Sequence, residues 1–183
     1  MACVISDAGP LIALAKADSL FVPRDLFSRI RIPDAVWLEC VQKTGADSRR
    51  IEQAASEGWL DVVSVSTRRS HPPSLGIGEV EAIQLALETR KELLIVDDRL
   101  ARREAMRHGL DYIGTVRMLH LAEQRSIVDN AEATIQRMAE CGYRISPLIL
   151  QQLRAQISGN APHLDKPAVR RQRPAPPRRE PNL

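Results

Sequence analysis

Short apolar runs alternate with helical segments along this chain, and two of the runs end directly in a carboxylate. Residues 2–6 (ACVIS) lead into Asp7, and residues 93–96 (LLIV) lead into Asp97 and Asp98. Short strands that are apolar on both faces and separated by helices are typical of a parallel sheet wrapped by helices. The sequence therefore predicts an α/β fold with a short parallel sheet.

The remaining segments complete this pattern. Pro33 is expected in the first turn of a helix, and Gly109 is expected to close the helix that follows Asp98. Residues 29–33, 60–66 and 111–114 are read as extended or strand segments. Predicted helices cover residues 8–17, 33–44, 48–59, 78–90, 98–109, 115–124, 129–141 and 146–157.

The net charge of +3 is concentrated in the last 25 residues, where six basic side chains accompany two acidic ones. The chain up to residue 158 is therefore close to neutral. Residues 159–183 also hold six of the 12 prolines and almost no large apolar side chain, a composition typical of disorder. We predict one domain over residues 1–157 and a disordered tail over 158–183, which serves either as a solubilising extension or as an arm for RNA or an acidic partner.

Other bulk features narrow the class of protein. No run reaches the roughly 18 to 20 apolar residues that cross a bilayer, so we expect a soluble, cytoplasmic protein without membrane contact. The three cysteines are far apart and lack metal-type spacing, which predicts neither a disulfide nor a structural zinc. The glycines after residue 75 do not fit a dinucleotide-binding motif, because Glu81 stands where its third glycine belongs. The four histidines show no motif of a serine or cysteine hydrolase.

Two strand-end carboxylates predict one site. Ligands of parallel α/β sheets bind outside the carboxyl ends of the strands, which places Asp7 and Asp97 in one crevice. Oxygen ligands without nearby His or Cys suit Mg2+ or Mn2+, and such an ion supports hydrolysis of a phosphodiester. Each Asp is alternatively a turn residue.

A third acid is available at the start of the helix predicted over residues 78–90. With 100° between successive residues, Glu79 falls on the apolar face and Glu81 lies almost opposite, so Glu79 is expected to face the crevice and Glu81 the solvent. The ordinary alternative for Glu79 is a favourable partner of the helix dipole. Asp98 is a preferred N-cap residue for the next helix and alternatively a metal ligand.

Four stretches together resemble the PIN domain family of metal-dependent ribonucleases: VISDAGPLIALAKAD, IPDAVWLEC, LGIGEVEAIQLALE and LLIVDDRLARREAMRHGL, the last followed by YIGTVRMLHLAEQRSI. The resemblance covers about residues 1–155. Within the family, the sequence is similar to the VapC-like toxin branch of prokaryotes. It implies a PIN-like, Rossmann-like fold of three layers.

The resemblance also implies a function and a set of site residues. Its four acids fall on Asp7, Glu39, Glu79 and Asp97, as metal ligands and catalytic groups, with Glu81 and Asp98 as alternates. Glu39 depends on the resemblance, since its place on the helix is otherwise that of a solvated side chain. The implied protein is an Mg2+- or Mn2+-dependent endoribonuclease, a homodimer and the toxin of a type II toxin–antitoxin pair that a small antitoxin inhibits. The alternative is a PIN-like module that binds RNA or protein without cleaving.

Basic residues recur beside the predicted crevice. Arg99, Arg102 and Arg103 could hold the RNA backbone, or they could form an ordinary solvated face. The six aromatic residues are not interleaved with the basic runs, so the sequence does not favour recognition by base stacking.

Overall fold

Five short strands form one parallel sheet within residues 4–66, 72–89, 92–144 and 151, the part of the chain that this computed structural model describes. Their lengths of two to four residues reflect the short apolar runs of the sequence. The strands are β1 (Val4–Ser6), β2 (Ile30–Pro33), β3 (Leu60–Val63), β4 (Leu93–Ile95) and β5 (Tyr112–Ile113).

Eight helices accompany the sheet in these residues. Their ends agree with the sequence signals: Gly58 and Gly109 follow α4 and α6 with positive φ angles of 78° and 69°, a conformation that glycine adopts without steric cost. The helices are α1 (Ala8–Lys16), α2 (Phe21–Phe27), α3 (Asp34–Val41), α4 (Ala46–Ser56), α5 (Ile77–Glu88), α6 (Arg99–Arg107), α7 (Thr115–Gln124) and α8 (Ala131–Glu140).

Two details differ from the sequence-based expectation. Helix α2 was not predicted; it is only seven residues long, and its Pro23 is tolerated because it lies in the first turn. Pro33 does not lie inside a helix but ends β2 and is the N-cap residue of α3. A proline fits there, because the N-cap residue has extended backbone angles, here φ −75° and ψ 165°.

The strand order β3–β2–β1–β4–β5 places the first strand at the centre of the sheet. Val4 is paired with Ile30 of β2 on one side and with Leu93 of β4 on the other. The chain builds outward from β1 to β3 and then returns through α5 to add β4 on the opposite side of β1. The resulting switch point lies between β1 and β4, where parallel sheets of this kind open a crevice at their carboxyl edge.

The core lies on both faces of the sheet. Ile5, Ile30 and Leu94 are fully buried in the strands, and Leu14 of α1 and Met118 of α7 are fully buried in the helices. Burial of strand residues on both faces explains why their sequences are continuously apolar rather than alternating. The predicted α/β class with a parallel sheet is confirmed.

Several predictions fall outside the described residues. They are the tail, the boundary between residues 157 and 158, and all of the helix predicted over 146–157 except Gln151, which is helical. Residues 4–144 all fall within a single compact unit. Among the described residues, no helix combines the length and apolar character that a membrane crossing requires.

Candidate active site

Asp7 occupies the carboxyl end of the central strand, between β1 and α1. Its backbone amide donates to the carbonyl of Ile95 in β4 at 3.0 Å, which fixes the residue at the switch point. The residue is only 8% exposed. Burial, and secondarily the negative charges of Glu79, Glu39 and Asp97, raise the pKa of Asp7 from its ordinary 3.8 to about 7, although the Ala8 amide opposes the shift.

Glu39 of α3 reaches the same place because α3 and α5 approach closely at a glycine. A Cβ atom added at Gly78 would lie 3.1 Å from Oε2 of Glu39, 3.3 Å from Cγ2 of Val36 and 3.8 Å from Oδ1 of Asp7. The carboxylates of Glu39 and Asp7 therefore both face the first turn of α5. Glu39 itself is exposed, as its sequence position suggested, and yet it borders the site.

Glu79 lies in the first turn of α5 and is half-buried. Its Oε2 accepts a hydrogen bond of 2.8 Å from the amide of Gly76, the N-cap residue, so the predicted role at the helix start is present. Burial first, and then the charges of Asp98 and Glu39, raise the pKa of Glu79, against the opposing effect of the Gly76 amide. The residue thus caps its helix and also belongs to the acidic cluster.

Asp98 is exposed and caps α6, as its position before the helix predicted. Its Oδ1 accepts from the amides of Leu100 at 2.7 Å and Ala101 at 2.9 Å. The carboxylate also lies close enough to Glu79 for its charge to raise the pKa of that residue. Capping uses one carboxylate oxygen, so the other is available to a ligand.

Asp97 was predicted as a principal metal ligand, and the structure places it in a dense set of hydrogen bonds. Its Oδ1 accepts from Arg102 at 3.0 Å and from the amide of Thr115 at 2.9 Å. Its Oδ2 accepts from the hydroxyl of Thr115 at 2.5 Å and from the hydroxyl of Tyr143. Two donors on each oxygen occupy the lone pairs that a carboxylate offers. Asp97 therefore supports the site rather than presenting a free oxygen to it.

Glu81, the alternate to Glu79, does not face the solvent as expected. It is half-buried, and its Oε2 accepts a hydrogen bond of 3.0 Å from the amide of Ala35, in the first turn of α3. The helical wheel treats α5 as an isolated helix. It could not show that α3 packs against the face of α5 that carries Glu81. Glu81 thus connects two helices, and its place as an alternate ligand remains a prediction.

The three candidate arginines of α6 differ in their surroundings. Arg99 and Arg103 are exposed, whereas Arg102 is turned inward. Arg102 donates through Nε to the carbonyl of Val96 at 2.9 Å and through Nη2 to Asp97, and its guanidinium lies 5.8 Å from the ring centroid of Tyr112. Two of the five donors of Arg102 are thus used within the fold, and its contact with RNA remains a prediction.

Two residues of the site were not identified from the sequence. Thr115 follows β5 closely, as Asp7 follows β1, so its position at a strand end was a usable signal. Tyr143 gave no such signal, because it lies 46 residues from Asp97 and after the last described helix. The glycine at position 114 has a steric explanation. A side chain there would overlap the guanidinium of Arg102, which hydrogen-bonds Asp97.

Asp7, Glu39 and Glu79 thus lie close together at the switch point, and Asp98 lies beside Glu79. Each of these four carboxylates keeps at least one oxygen without a hydrogen-bond donor among the described residues. Such an oxygen-only donor set suits a hard divalent cation, which would offset the repulsion among the acids. In the described part of the chain, no three Asp, Glu, His or Cys side chains are arranged closely enough to hold one ion by themselves. Mg2+ characteristically uses only one or two carboxylates, with water and substrate phosphates as further ligands, so the residues fit that mode of binding.

Comparison with solved structures shows the same fold elsewhere. A PilT N-terminus domain protein from the hyperthermophilic archaeon Sulfolobus solfataricus P2 superimposes with a TM-score of 0.52. The match covers 66% of this chain and 92% of the archaeal one at 19% sequence identity. A search of curated proteins finds no match.

The family comparison extends over most of the chain. A family model described as PIN domain matches residues 3–158, a range that includes every candidate carboxylate described above. PIN domains are generally nucleases, and they usually bind divalent metals. This chain belongs to the PIN domain family.

Proposed function

We propose that this protein is an endoribonuclease that depends on Mg2+ or Mn2+. The observation that carries the proposal is the convergence of the charges of Glu79, Glu39 and Asp97 on the buried Asp7, with Asp98 close to Glu79. Family membership supports the same conclusion, because PIN domains are generally nucleases. RNA as the substrate and Mg2+ or Mn2+ as the cation are both parts of what we propose.

Asp7, Glu39, Glu79 and Asp98 would hold the cation. When bound, a divalent ion at such a site activates water and stabilises negative charge on a phosphodiester. Asp98 takes precedence over Asp97 here, because all the acceptor positions of Asp97 are used by Arg102, Thr115 and Tyr143. Asp7, with a pKa near neutrality, can also gain or lose a proton at physiological pH.

Arg99 and Arg103 are the proposed contacts to the RNA backbone. Both are exposed on α6, the helix whose N-terminus lies beside Asp98. Contacts of this kind fix the position of a nucleic acid and do not read its sequence. Removal of either charge is expected to weaken RNA binding without changing the fold.

We further propose that the protein is the cytoplasmic toxin of a type II toxin–antitoxin pair and acts as a homodimer. Two exposed apolar side chains on the helices that carry acids support a protein partner: Leu38 of α3 is 64% exposed, and Ile77 at the start of α5 is 73% exposed. Exposed apolar side chains on helices that also carry acidic residues are complementary to a basic amphipathic segment. A small antitoxin carrying such a segment would block the crevice.

The test is cleavage of a mixed RNA pool by the purified protein in Mn2+. Asp7→Asn is expected to abolish cleavage, and EDTA is expected to do the same to the parent. Asp129→Asn is the matched control. It makes the same Asp to Asn change at an exposed residue between α7 and α8, outside the acidic cluster. Equal cleavage by the parent and Asp7→Asn would remove Asp7 from the site and identify the activity as contamination.

One observation favours a second candidate, a PIN module that binds RNA without cleaving it. In the described residues the acids do not by themselves form a three-ligand metal site. Such a module would retain RNA in a gel-shift assay, with equal affinity in the parent and in Asp7→Asn, and would leave the RNA intact in every metal. Metal-dependent cleavage by the parent rejects it.

A further inference from the structure

The hydroxyl of Tyr143 reaches the site from outside the sheet. It donates to Oδ2 of Asp97, the oxygen that also accepts the hydroxyl of Thr115. Arg102 and the amide of Thr115 hold the other oxygen. Three of these four donors come from α6 and the start of α7, elements next to β4 and β5, whereas Tyr143 follows α8.

The backbone at the end of α8 fixes the position of Tyr143. Gly142 adopts a φ of 90°, its amide donates to the carbonyl of Ala139 at 2.9 Å, and the amide of Tyr143 donates to the carbonyl of Met138 at 2.9 Å. This pair of bonds is the Schellman motif, which ends a helix and reverses the chain direction. Tyr143 lines, together with Met138 and residues of α1 such as Gly9, a cavity of about 150 Å³.

The hydrogen-bonded carboxylate lies at the centre of the candidate site. Asp97 directly precedes Asp98, the proposed ligand, and its charge contributes to the raised pKa of Asp7. Burial and the adjacent Asp97 raise the pKa of Tyr143 above its ordinary value, so the phenol remains a donor at every pH of interest. Without the Tyr143 hydroxyl, Oδ2 of Asp97 would keep only the Thr115 hydroxyl as a donor, so this side of the carboxylate would be held less firmly.

We propose that Tyr143 is a positioning residue, which holds Asp97 in place and thereby aligns Asp98 and Asp7 for the reaction. This inference rests on the proposed function. Tyr143 does not contact the reacting atoms in this role. Its removal therefore slows the chemical step and leaves the affinity for RNA unchanged.

The experiment compares two Tyr to Phe substitutions in the full chain. Tyr143→Phe keeps the ring and removes only the hydroxyl. Tyr112→Phe is the matched control, because it removes a hydroxyl near Arg102 that has no hydrogen-bond partner among the described residues. We expect kcat for RNA cleavage to fall about tenfold or more in Tyr143→Phe with KM within about twofold of the parent, and both constants to stay unchanged in Tyr112→Phe.

A second readout does not depend on activity. The affinity for Mn2+, measured by titration calorimetry without RNA, is expected to weaken in Tyr143→Phe and not in Tyr112→Phe. Circular dichroism at the assay temperature establishes that both variants are folded. Gly142→Ala strains the turn before Tyr143 and is also expected to lower kcat. A decrease in both variants would show that the effect is not specific to the Phe substitution.

A double-mutant cycle with Asp97→Asn tests whether Tyr143 acts through Asp97. If it does, Tyr143→Phe has no further effect on kcat or Mn2+ affinity once Asp97 is changed. Full additivity, or kcat of Tyr143→Phe equal to that of the parent, overturns the inference while the ribonuclease proposal stands. A parent that neither cleaves RNA nor binds Mn2+ overturns both.

Discussion

Asp7 and Asp97 follow neighbouring strands of one sheet, yet their surroundings give them different chemical roles. Asp7 is nearly inaccessible and lies among other carboxylates, so its ionised form is disfavoured. Asp97 is surrounded by one guanidinium, two hydroxyls and an amide, all of which donate to its oxygens. The same residue type at the same kind of position thus becomes a proton-exchanging group in one case and a fixed acceptor in the other.

The raised pKa of Asp7 makes a prediction about stability in the absence of metal. Because the folded-state value of about 7 exceeds the ordinary 3.8, the folded form binds the proton more tightly, and this stability is fully present below about pH 4. It is lost as the pH rises toward 7 and stays lost above that. In EDTA, the free energy of unfolding should therefore fall between pH 5 and pH 8 by an amount on the order of 2 kcal/mol.

Asp7→Asn removes this titration. Urea unfolding at pH 5 and pH 8 should show a smaller loss of stability in the variant than in the parent, and the variant should be the more stable of the two at pH 8. Asp129→Asn should retain the parental dependence. A parental slope preserved in Asp7→Asn would assign the pH effect to another group.

At the scale of single elements, the start of α6 combines a structural and a proposed chemical task in Asp98. Its Oδ1 caps the helix, and its charge borders Glu79. Asn caps a helix about as well as Asp, whereas Ala does not. The two tasks can therefore be separated by choice of substitution.

We predict that Asp98→Ala lowers the free energy of unfolding by about 1 kcal/mol, through loss of the cap. Asp98→Asn should leave stability close to that of the parent and still reduce RNA cleavage, since it removes the ionic oxygen but not the cap. Urea unfolding and the Mn2+ cleavage assay measure the two effects. Full cleavage by Asp98→Asn would return the ligand role to Asp97.

The end of α8 carries a second element-scale prediction. Gly142 has a φ of 90°, where a side chain is strained, so Gly142→Ala should lower the free energy of unfolding by about 1 kcal/mol or more. Asn tolerates this backbone region better, so Gly142→Asn should be less destabilising. Thermal unfolding of the three forms provides the measurement. Equal stability of the Ala and Asn variants would argue against backbone strain as the cause.

For the whole molecule, the carboxylate cluster predicts a coupling between cation binding and folding. A ligand that binds only the folded form stabilises it, by about 2.7 kcal/mol at a hundredfold excess over its Kd, which for a domain of this size raises Tm by about 5 °C or more. Mn2+ should produce this rise in the parent and in Asp129→Asn. The rise should be largely absent in Asp7→Asn, and an equal rise there would indicate binding to the acidic surface in general.

Apart from α2, the sequence alone determined the described elements and their order. Runs such as residues 93–96 are apolar without alternation because the strand is buried on both faces, and Asp98 before a helix is a cap by its local chemistry. These are short-range properties, so they can be read from neighbouring residues. The placement of Asp7 and Asp97 at one edge of the sheet also followed, because parallel strands present their carboxyl ends on the same edge.

Only the tertiary structure decided which polar atoms meet. Glu81 packs against α3, Arg102 turns toward Asp97, and Tyr143 reaches a carboxylate far away in the chain. Hydrogen bonds of this kind depend on how separate elements pack, and neither periodicity nor capping signals carry that information. For this protein the sequence determined where the acids gather, and packing determined which of them remain free to bind a ligand.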